Sequence, residues 1–282
     1  MADTVGNPLE YVLKRMTWAV EGAGRRPAAV RSRVVPEVRD LTAADLKDAL
    51  RRGLADFTAA RDDVLFIAIF YPLAGLVLAA AFLRYDLLPM IFPLVSGFAL
   101  LGPLAAVGLY EVSRRREAGE DVRWWSAASV FGSPAIGGIL VMGLVLLALF
   151  VAWLALAYEI SLLAFAHGPP VTFRSFLEQT FATGEGWAMV LVGLSVGFVF
   201  AAVAFAISVV SFPLLLDRRV DVDVAIRTSV KVVARNPRTM ALWGLIVAVS
   251  LALGAVPALL GLIVVVPVLG HASWHLYRRA VA

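Results

Sequence analysis

The stretch AIGGILVMGLVLLALFVAWLALAY, residues 135–158, decides the fold because it contains no Asp, Glu, Lys or Arg. A helix of this length crosses the hydrocarbon core of a bilayer, which is about 30 Å thick. The chain of 282 residues is 61% apolar and 16% charged, whereas a soluble domain is roughly 45–50% apolar and about 25% charged. Because the apolar surplus comes in uninterrupted blocks like this one, the sequence predicts a protein that spans a membrane.

Blocks of the same kind predict six spanning helices, arranged as three hairpins in an all-α polytopic membrane helix bundle. The expected spans are residues 64–83, 87–110, 135–158, 187–216, 238–256 and 258–277. The fourth is too long for an upright helix, so we expect it to tilt, to extend beyond the bilayer or to kink near Pro213. A turn at residues 254–257 separates the last two spans; one long span with a re-entrant piece is the alternative.

The basic residues are distributed unevenly between the two sides of this bundle. Of the 25 lysines and arginines, only Arg84 and Arg174 lie in the loops on one side. The others lie before the first span, in loops 111–134 and 217–239, and at the C-terminus. Since loops rich in Lys and Arg stay in the cytoplasm, the sequence predicts that both termini are cytoplasmic.

The region before the first span divides into a tail and a helix. Residues 1–40 are polar, contain Gly, Pro and Arg without periodicity, and are expected to form a mobile tail. Residues 41–63 are expected to form an amphipathic cytoplasmic helix, because Thr42 and Asp45 fit a helix cap and apolar residues then recur at helical spacing. This helix lies either in the membrane interface or docked on the cytoplasmic loops; the sequence leaves both open.

A second cytoplasmic helix is predicted within loop 217–239, where Asn236 and Pro237 would end it. Arg227, Lys231 and Arg235 follow one another at i, i+4 and i+8 and form a basic stripe on one face. Such a stripe suits anionic lipid headgroups or an acidic partner protein. The alternative is that these charges only orient the chain in the membrane.

His271 and His275 are the candidate metal or haem ligands, because their i, i+4 spacing places both on one side of a helix. No HExxH motif surrounds them, and the chain has three histidines and no cysteine. The lack of cysteine excludes disulfides, Cys-ligated zinc and iron–sulfur clusters. The alternative is that both histidines form hydrogen bonds at the interface, and we therefore expect no cofactor and no catalytic residue.

The predicted spans contain almost no ionisable side chains. Proton relays and charged-substrate carriers need such groups inside the membrane, so the composition argues against a pump or a proton-coupled transporter. Gly193 and Gly197 form a GxxxG motif in the fourth span, which lets two helices pack closely. These glycines are candidates for helix packing, including contact with a membrane partner or a second copy.

Three segments carry a family resemblance: YDLLPMIFPLVSGFALLGPLAAVGLYEVSRRREAGED (85–121), VSFPLLLDRRVDVDVAIRTSVKVVARNPRTMALWGLIV (210–247) and PVLGHASWHLYRR (267–279). They resemble the bacterial integral membrane proteins grouped as domain of unknown function 2189. The resemblance covers about residues 40–280 and leaves residues 1–39 outside. It implies a multi-pass protein of the bacterial inner membrane, without an established activity and without functional residues to transfer.

These observations favour a non-catalytic accessory or scaffold protein that binds protein partners or lipid, and no nucleic acid. A transporter or channel for a neutral or lipidic small molecule is the alternative, because prolines interrupt many spans. These prolines are Pro89, Pro93, Pro103, Pro213, Pro257 and Pro267. A second alternative is a haem- or metal-binding membrane protein linked to respiration, which would use His271 and His275.

Overall fold

In this computed structural model the described residues are 32–59, 76, 80, 88–122, 124–166, 168, 170, 172–256 and 259–282. Their regular structure consists of helices and two isolated bridges. The α-helices are α1 (Ala43–Ala59), α2 (Ile91–Phe98), α3 (Gly102–Ala105), α4 (Val107–Glu117), α5 (Ile136–Ala164), α6 (Phe173–Ala182), α7 (Gly184–Ser208), α8 (Ser211–Asp217), α9 (Val222–Arg235), α10 (Pro237–Ala255) and α11 (Leu262–Ala280). Three 3₁₀ segments accompany them: Leu88–Met90, Ala99–Leu101 and Trp124–Gly132. The predicted first span, 64–83, lies outside the described residues except for positions 76 and 80.

Four helical stretches in this part of the chain are long and apolar enough to cross a membrane. They are Leu88–Glu117, Ile136–Ala164, Gly184–Asp217 and Pro237–Ala255, and they overlap the predicted spans 87–110, 135–158, 187–216 and 238–256. The all-α membrane architecture is therefore confirmed, while the six spans and three hairpins stay a prediction. Helix α11, at the predicted span 258–277, is not among the four, since its second half carries two histidines and two arginines.

The predicted fourth span is divided between α7 and α8. The break falls at Val209 and Val210, a few residues before Pro213. A proline ring excludes the helical carbonyl four residues earlier, which here belongs to Val209. Pro213 itself lies in the first turn of α8, where its missing N–H is not needed. The kink expected near Pro213 thus appears one turn earlier in the chain.

The interior of the spanning bundle is filled by apolar side chains of α5. Met142 and Leu146 are fully buried, and Trp153 is nearly so. The indole of Trp153 donates a hydrogen bond of 2.9 Å to the carbonyl of Pro93 in α2. This bond satisfies the only polar atom of the tryptophan side chain in an otherwise apolar layer.

Helix α1 packs along α11. Leu46 and Ala49 of α1 are each 1% exposed. At Gly53 the two backbones approach so closely that a Cβ atom would lie 2.6 Å from the amide nitrogen of Ala272 and 2.7 Å from the carbonyl oxygen of Val268. The structure shows the amphipathic helix packed on α11, and its location in the membrane interface or on the cytoplasmic loops stays a prediction.

The cap predicted for α1 is formed. The backbone N–H of Thr42 donates to Oδ2 of Asp45 at 2.9 Å, and the Asp45 N–H donates back to the Thr42 hydroxyl at 3.4 Å. The structure describes this helix over Ala43–Ala59, and residues 60–63 of its predicted extent lie outside the described residues.

Residues 32–40, the last part of the predicted mobile tail, contact the rest of the chain. Val38 is 1% exposed and forms a bridge with Val281. The side chain of Asn236, between α9 and α10, accepts a hydrogen bond from the Leu41 N–H at 2.7 Å and donates one to the Arg39 carbonyl at 3.1 Å. This part of the tail is therefore packed, because its backbone polar groups find partners on α11 and at the end of α9.

We call the end of the bundle formed by residues 32–42, α1, α8, α9, the first turn of α10 and the C-terminal halves of α4 and α11 the polar end. The hydroxyl of Tyr277 in α11 donates to Oδ2 of Asp217 in α8 at 2.6 Å, which joins two of these helices. The opposite end of the bundle is formed by α6 and the adjoining helix termini.

Candidate functional site

Four polar side chains from three helices meet inside the polar end. Ser113 of α4 donates to Oδ2 of Asp56 in α1 at 2.6 Å. The same hydroxyl lies 2.8 Å from Nδ1 of His271, and Oδ2 of Asp56 lies 2.8 Å from Nε2 of His275. The structure therefore brings together both histidines singled out from the sequence, with a carboxylate and a serine as their partners. We call these four residues the buried network.

The hydrogen-bond partners define the protonation pattern of the buried network. A carboxylate only accepts, so the Ser113 hydroxyl donates to Asp56 and accepts from the Nδ1–H of His271. Nε2 of His271 has no hydrogen-bond partner although the side chain is fully buried; in the neutral imidazole with its proton on Nδ1, this nitrogen carries no proton. The second histidine differs, because the Nε2–H of His275 donates directly to Asp56.

Asp56 is the centre of the buried network and the only acidic group in it. Burial raises the pKa of Asp56, but the hydrogen bonds from His275 and Ser113 outweigh burial and bring the pKa below its usual value. Arg116 adds positive charge, with Nη1 at 3.6 Å from Oδ1 of Asp56 and 3.0 Å from its carbonyl oxygen. Asp56 is therefore an ionised, buried carboxylate at neutral pH.

The order of these groups differs from that of a nucleophilic triad. In such a triad the histidine lies between the serine and the carboxylate and removes the serine proton. Here Ser113 lies between His271 and Asp56, and it is fully buried. The described residues also contain no group of three or more His, Asp or Glu side chains placed to hold a metal ion. The geometry suits a structural link between helices.

A cavity of about 300 Å³ opens beside the buried network at the surface of the polar end. It is lined by Arg39, Arg52, Glu117, His275, Arg278 and Arg279. We call it the arginine pocket. His275 belongs to both the pocket and the buried network, and it connects the two.

Three carboxylates, those of Asp48, Glu117 and Asp217, hold three of the pocket arginines in place; Asp217 lies 3.3 Å from Nη1 of Arg278. Asp48 pairs with Arg52 at 2.8 Å and with Arg279 at 3.0 Å. The hydrogen bond from Arg279, more than any other interaction, lowers the pKa of Asp48 to about 2. Glu117 accepts from Nε of Arg278 at 3.1 Å and from the indole of Trp274 at 3.0 Å.

A second buried carboxylate lies on α4. Glu111 accepts bonds from Arg114 at 2.8 Å and from Arg115 at 2.7 Å. Its side chain is 5% exposed. Two of the four basic residues in the predicted loop 111–134 are thus engaged with a neighbouring carboxylate.

The basic stripe of α9 is largely neutralised. Arg227 pairs with Asp223, and Arg235 pairs with Asp40 at 2.7 Å. Lys231 is exposed and has no ion pair among the described residues. The structure thus separates the stripe from the arginine pocket, and its proposed contact with lipid or a partner stays a prediction.

The two glycines of the GxxxG motif have different surroundings on α7. A Cβ atom at Gly197 would lie 3.0 Å from the indole of Trp153, whereas a Cβ at Gly193 would meet no atom within 4 Å. Among the described residues, close packing therefore involves Gly197 and not Gly193. The role of the pair in binding a second protein stays a prediction.

Residues 91–217 match a family model described as "Predicted integral membrane protein (DUF2189)". The predicted family resemblance is confirmed. The matched segment, residues 91–217, is shorter than the expected 40–280. It includes Ser113, whereas Asp56, His271 and His275 lie outside it. No curated protein and no solved structure matches the chain.

The sequence reasoning missed Asp56 and Ser113. The position of Asp56 could have been recognised from helical spacing. It follows Ala49 by seven residues and Gly53 by three, so the three residues share one helix face, and that face is buried. An acidic residue on a buried face needs a partner. The two histidines of α11 were suitable partners, but the sequence does not show that α1 and α11 are neighbours.

Proposed function

We propose that this protein is a non-catalytic accessory or scaffold protein of the bacterial inner membrane and that its polar end binds anionic lipid headgroups. In this proposal the chain has six spans in three hairpins, and both termini are cytoplasmic. A membrane-protein partner or a second copy would contact the exposed faces of the spanning helices. The confirmed part of this description is an integral membrane protein of unknown function.

The observation that carries the proposal is the difference in charge between the two ends of the bundle. Among the described residues, the end opposite the polar end carries Arg174 and three glutamates, Glu159, Glu178 and Glu185. The polar end carries all the other described lysines and arginines, including the four arginines of the pocket. Positive charge at one end is typical of the cytoplasmic side, where anionic lipids attract basic residues.

Two features support a binding role over the alternatives. The serine of the buried network is inaccessible, and its order relative to His271 and Asp56 does not activate it as a nucleophile. Among the described residues, Met142, Leu146 and Trp153 of α5 are buried, and Trp153 also bonds to Pro93 of α2, so this side of α5 is filled by apolar side chains.

The proposal is tested by lipid retention. The full chain, purified in mild detergent from membranes of mixed composition, should keep phosphatidylglycerol or cardiolipin in preference to phosphatidylethanolamine when its lipids are measured by mass spectrometry. The preference should decrease at high salt, because the Debye length falls to about 3 Å at 1 M ionic strength. Retention of anionic and zwitterionic lipids in the proportions of the source membrane would contradict it.

A further inference from the structure

We infer that the arginine pocket is a binding site for a phosphate group, carried by a lipid headgroup or by a soluble phosphate ester. The inference deepens the proposed function and rests on it for the location of the pocket at the membrane surface. It assigns binding to Arg39, Arg52, Arg278 and Arg279, and not to the basic stripe of α9.

The charge of the pocket lining favours an anion. Four arginines and one glutamate line the cavity, and the sixth lining residue, His275, adds no negative charge. Glu117 already accepts bonds from Arg278 and Trp274 through its two oxygens. An arriving phosphate would therefore meet guanidinium N–H groups, whose planar geometry allows paired hydrogen bonds to phosphate oxygens.

Arg39 is the pocket residue most available for a ligand. Its backbone N–H donates to the Ala280 carbonyl at 2.8 Å, and its own carbonyl accepts from Asn236 at 3.1 Å. The backbone is thus held on both sides, whereas the guanidinium has no ion pair with any described residue. A fixed main chain with an uncommitted cationic side chain can bind an anion without first breaking an internal bond.

The other arginines are positioned before any ligand arrives. Asp48 holds Arg52 and Arg279, and Glu117 holds Arg278. Each guanidinium has more donors than its carboxylate uses, since arginine carries five N–H groups. The ion pairs reduce the conformational entropy that these long side chains would lose on binding.

The buried network gives the pocket a rigid base. His275 is fixed by its bond of 2.8 Å to Asp56, which in turn is bonded to Ser113 of α4. The pocket walls therefore come from α1, α4, α11 and the segment before α1, which hydrogen bonds join to one another. This arrangement distinguishes the pocket from the exposed surface arginines elsewhere on the polar end.

The experiment compares two arginine variants of the full chain in detergent. Arg39→Gln removes a pocket cation, and Arg238→Gln removes an exposed arginine on α10 that also lacks an ion pair within the described part of the chain. Neither variant leaves a carboxylate unpaired, so both should fold. The Kd is measured for inorganic phosphate and, separately, for vesicles of phosphatidic acid in phosphatidylcholine.

We expect Arg39→Gln to raise the Kd about tenfold, because a factor of this size corresponds to the loss of one charge-assisted hydrogen bond. Arg238→Gln should change the Kd less than twofold. Glu117→Gln should lower the Kd, because it removes the negative charge of the lining. In this variant Arg278 stays paired with Asp217 at 3.3 Å, and the amide oxygen can still accept from Trp274. Tighter binding in this variant is a result that simple loss of structure would not produce. Equal effects of Arg39→Gln and Arg238→Gln, or weaker binding in Glu117→Gln, would overturn the inference.

The two probes separate this inference from the proposed function. If the wild-type chain prefers anionic lipid but Arg39→Gln and Arg238→Gln behave alike, the function stands and the pocket assignment fails. If inorganic phosphate binds with the expected sensitivity to Arg39→Gln but vesicles do not bind, the pocket assignment stands, the ligand is soluble, and the lipid function fails. Binding of phosphatidic acid vesicles with the same sensitivity supports both.

Discussion

The polar end and the spanning helix α7 are stabilised in different ways. The polar end is cross-linked by hydrogen bonds between residues far apart in the chain; Asp56 and His275 are separated by 219 positions. Helix α7 has many exposed apolar side chains, with Phe198 73% exposed and Leu191 61% exposed. A protein surface of this kind needs lipid or a partner to cover it. Contacts within the chain therefore stabilise the polar end, whereas the position of α7 also depends on the lipid or the partner that covers it.

The largest expected effect comes from breaking the buried network. Asp56→Ala leaves His275, Ser113 and Arg116 without their shared partner inside the polar end. Removing one member of a buried charged pair typically costs about 3–5 kcal/mol. We expect the Tm of the full chain in detergent to fall and α1 to become sensitive to limited proteolysis.

The matched control for this variant is Asp40→Ala, which removes an exposed carboxylate paired with Arg235. Exposed ion pairs contribute little to stability, so the control should leave the Tm and the proteolysis pattern unchanged. If the two variants behaved alike, the buried network would have no special role in holding α1 on α11.

The next effect tests the close approach of α1 and α11. Gly53→Ala places a methyl group 2.6 Å from the backbone of Ala272, where neither backbone can move independently of its helix. Overpacking of this kind costs about 1–3 kcal/mol. The control Gly137→Ala lies in α5 with no atom within 4 Å of its new Cβ, and it should be neutral or stabilising, since alanine is the better helix former. Thermal unfolding of both variants gives the comparison; equal Tm values would contradict the observed packing.

Part of this difference between regions could be predicted from the sequence. The four described candidate spans follow from uncharged apolar blocks, because the bilayer imposes length and composition directly on each segment. The end of α9 before Pro237 follows from local chemistry in the same way. The docking of α1 on α11 does not, because it depends on contacts between segments at opposite ends of the chain.

The buried face of α1 shows why the site itself escaped prediction. Leu54 follows Leu46 and Leu50 at helical spacing, which predicts a common buried face, but Leu54 is 49% exposed and Asp56 is buried. Gly53 allows α11 to approach at that point, so the contact is centred on a residue with no side chain. Hydrophobic patterns locate faces by side chains and do not detect a contact that forms around a glycine.

Lowering the pH should destabilise the polar end before it destabilises the spanning helices. The pKa of Asp48 is lowered to about 2, first through its bond with Arg279, and the pKa of Asp56 is also below its usual value. A group with a lowered pKa in the folded state contributes stability above its unfolded pKa of about 3.9, and this contribution is lost as the pH falls towards the folded pKa. We expect the Tm to decrease below about pH 4. The decrease should be smaller in Asp48→Asn, and an identical pH profile for that variant would contradict the assignment.

The smallest effect concerns the two glycines of α7, where the surroundings decide the result. Gly197→Ala brings a methyl group to 3.0 Å from the indole of Trp153, so the ring must shift by a few tenths of an ångström. This strain opposes the gain in helix propensity of about 1 kcal/mol, and the Tm should change little. Gly193→Ala meets no atom of the described residues within 4 Å and should show the full gain in a monomer. If Gly193 instead contacts a second copy or a partner in the membrane, the added methyl group weakens that association. Measuring both the Tm and the oligomeric state of Gly193→Ala therefore distinguishes a lipid-covered helix from one that another protein covers.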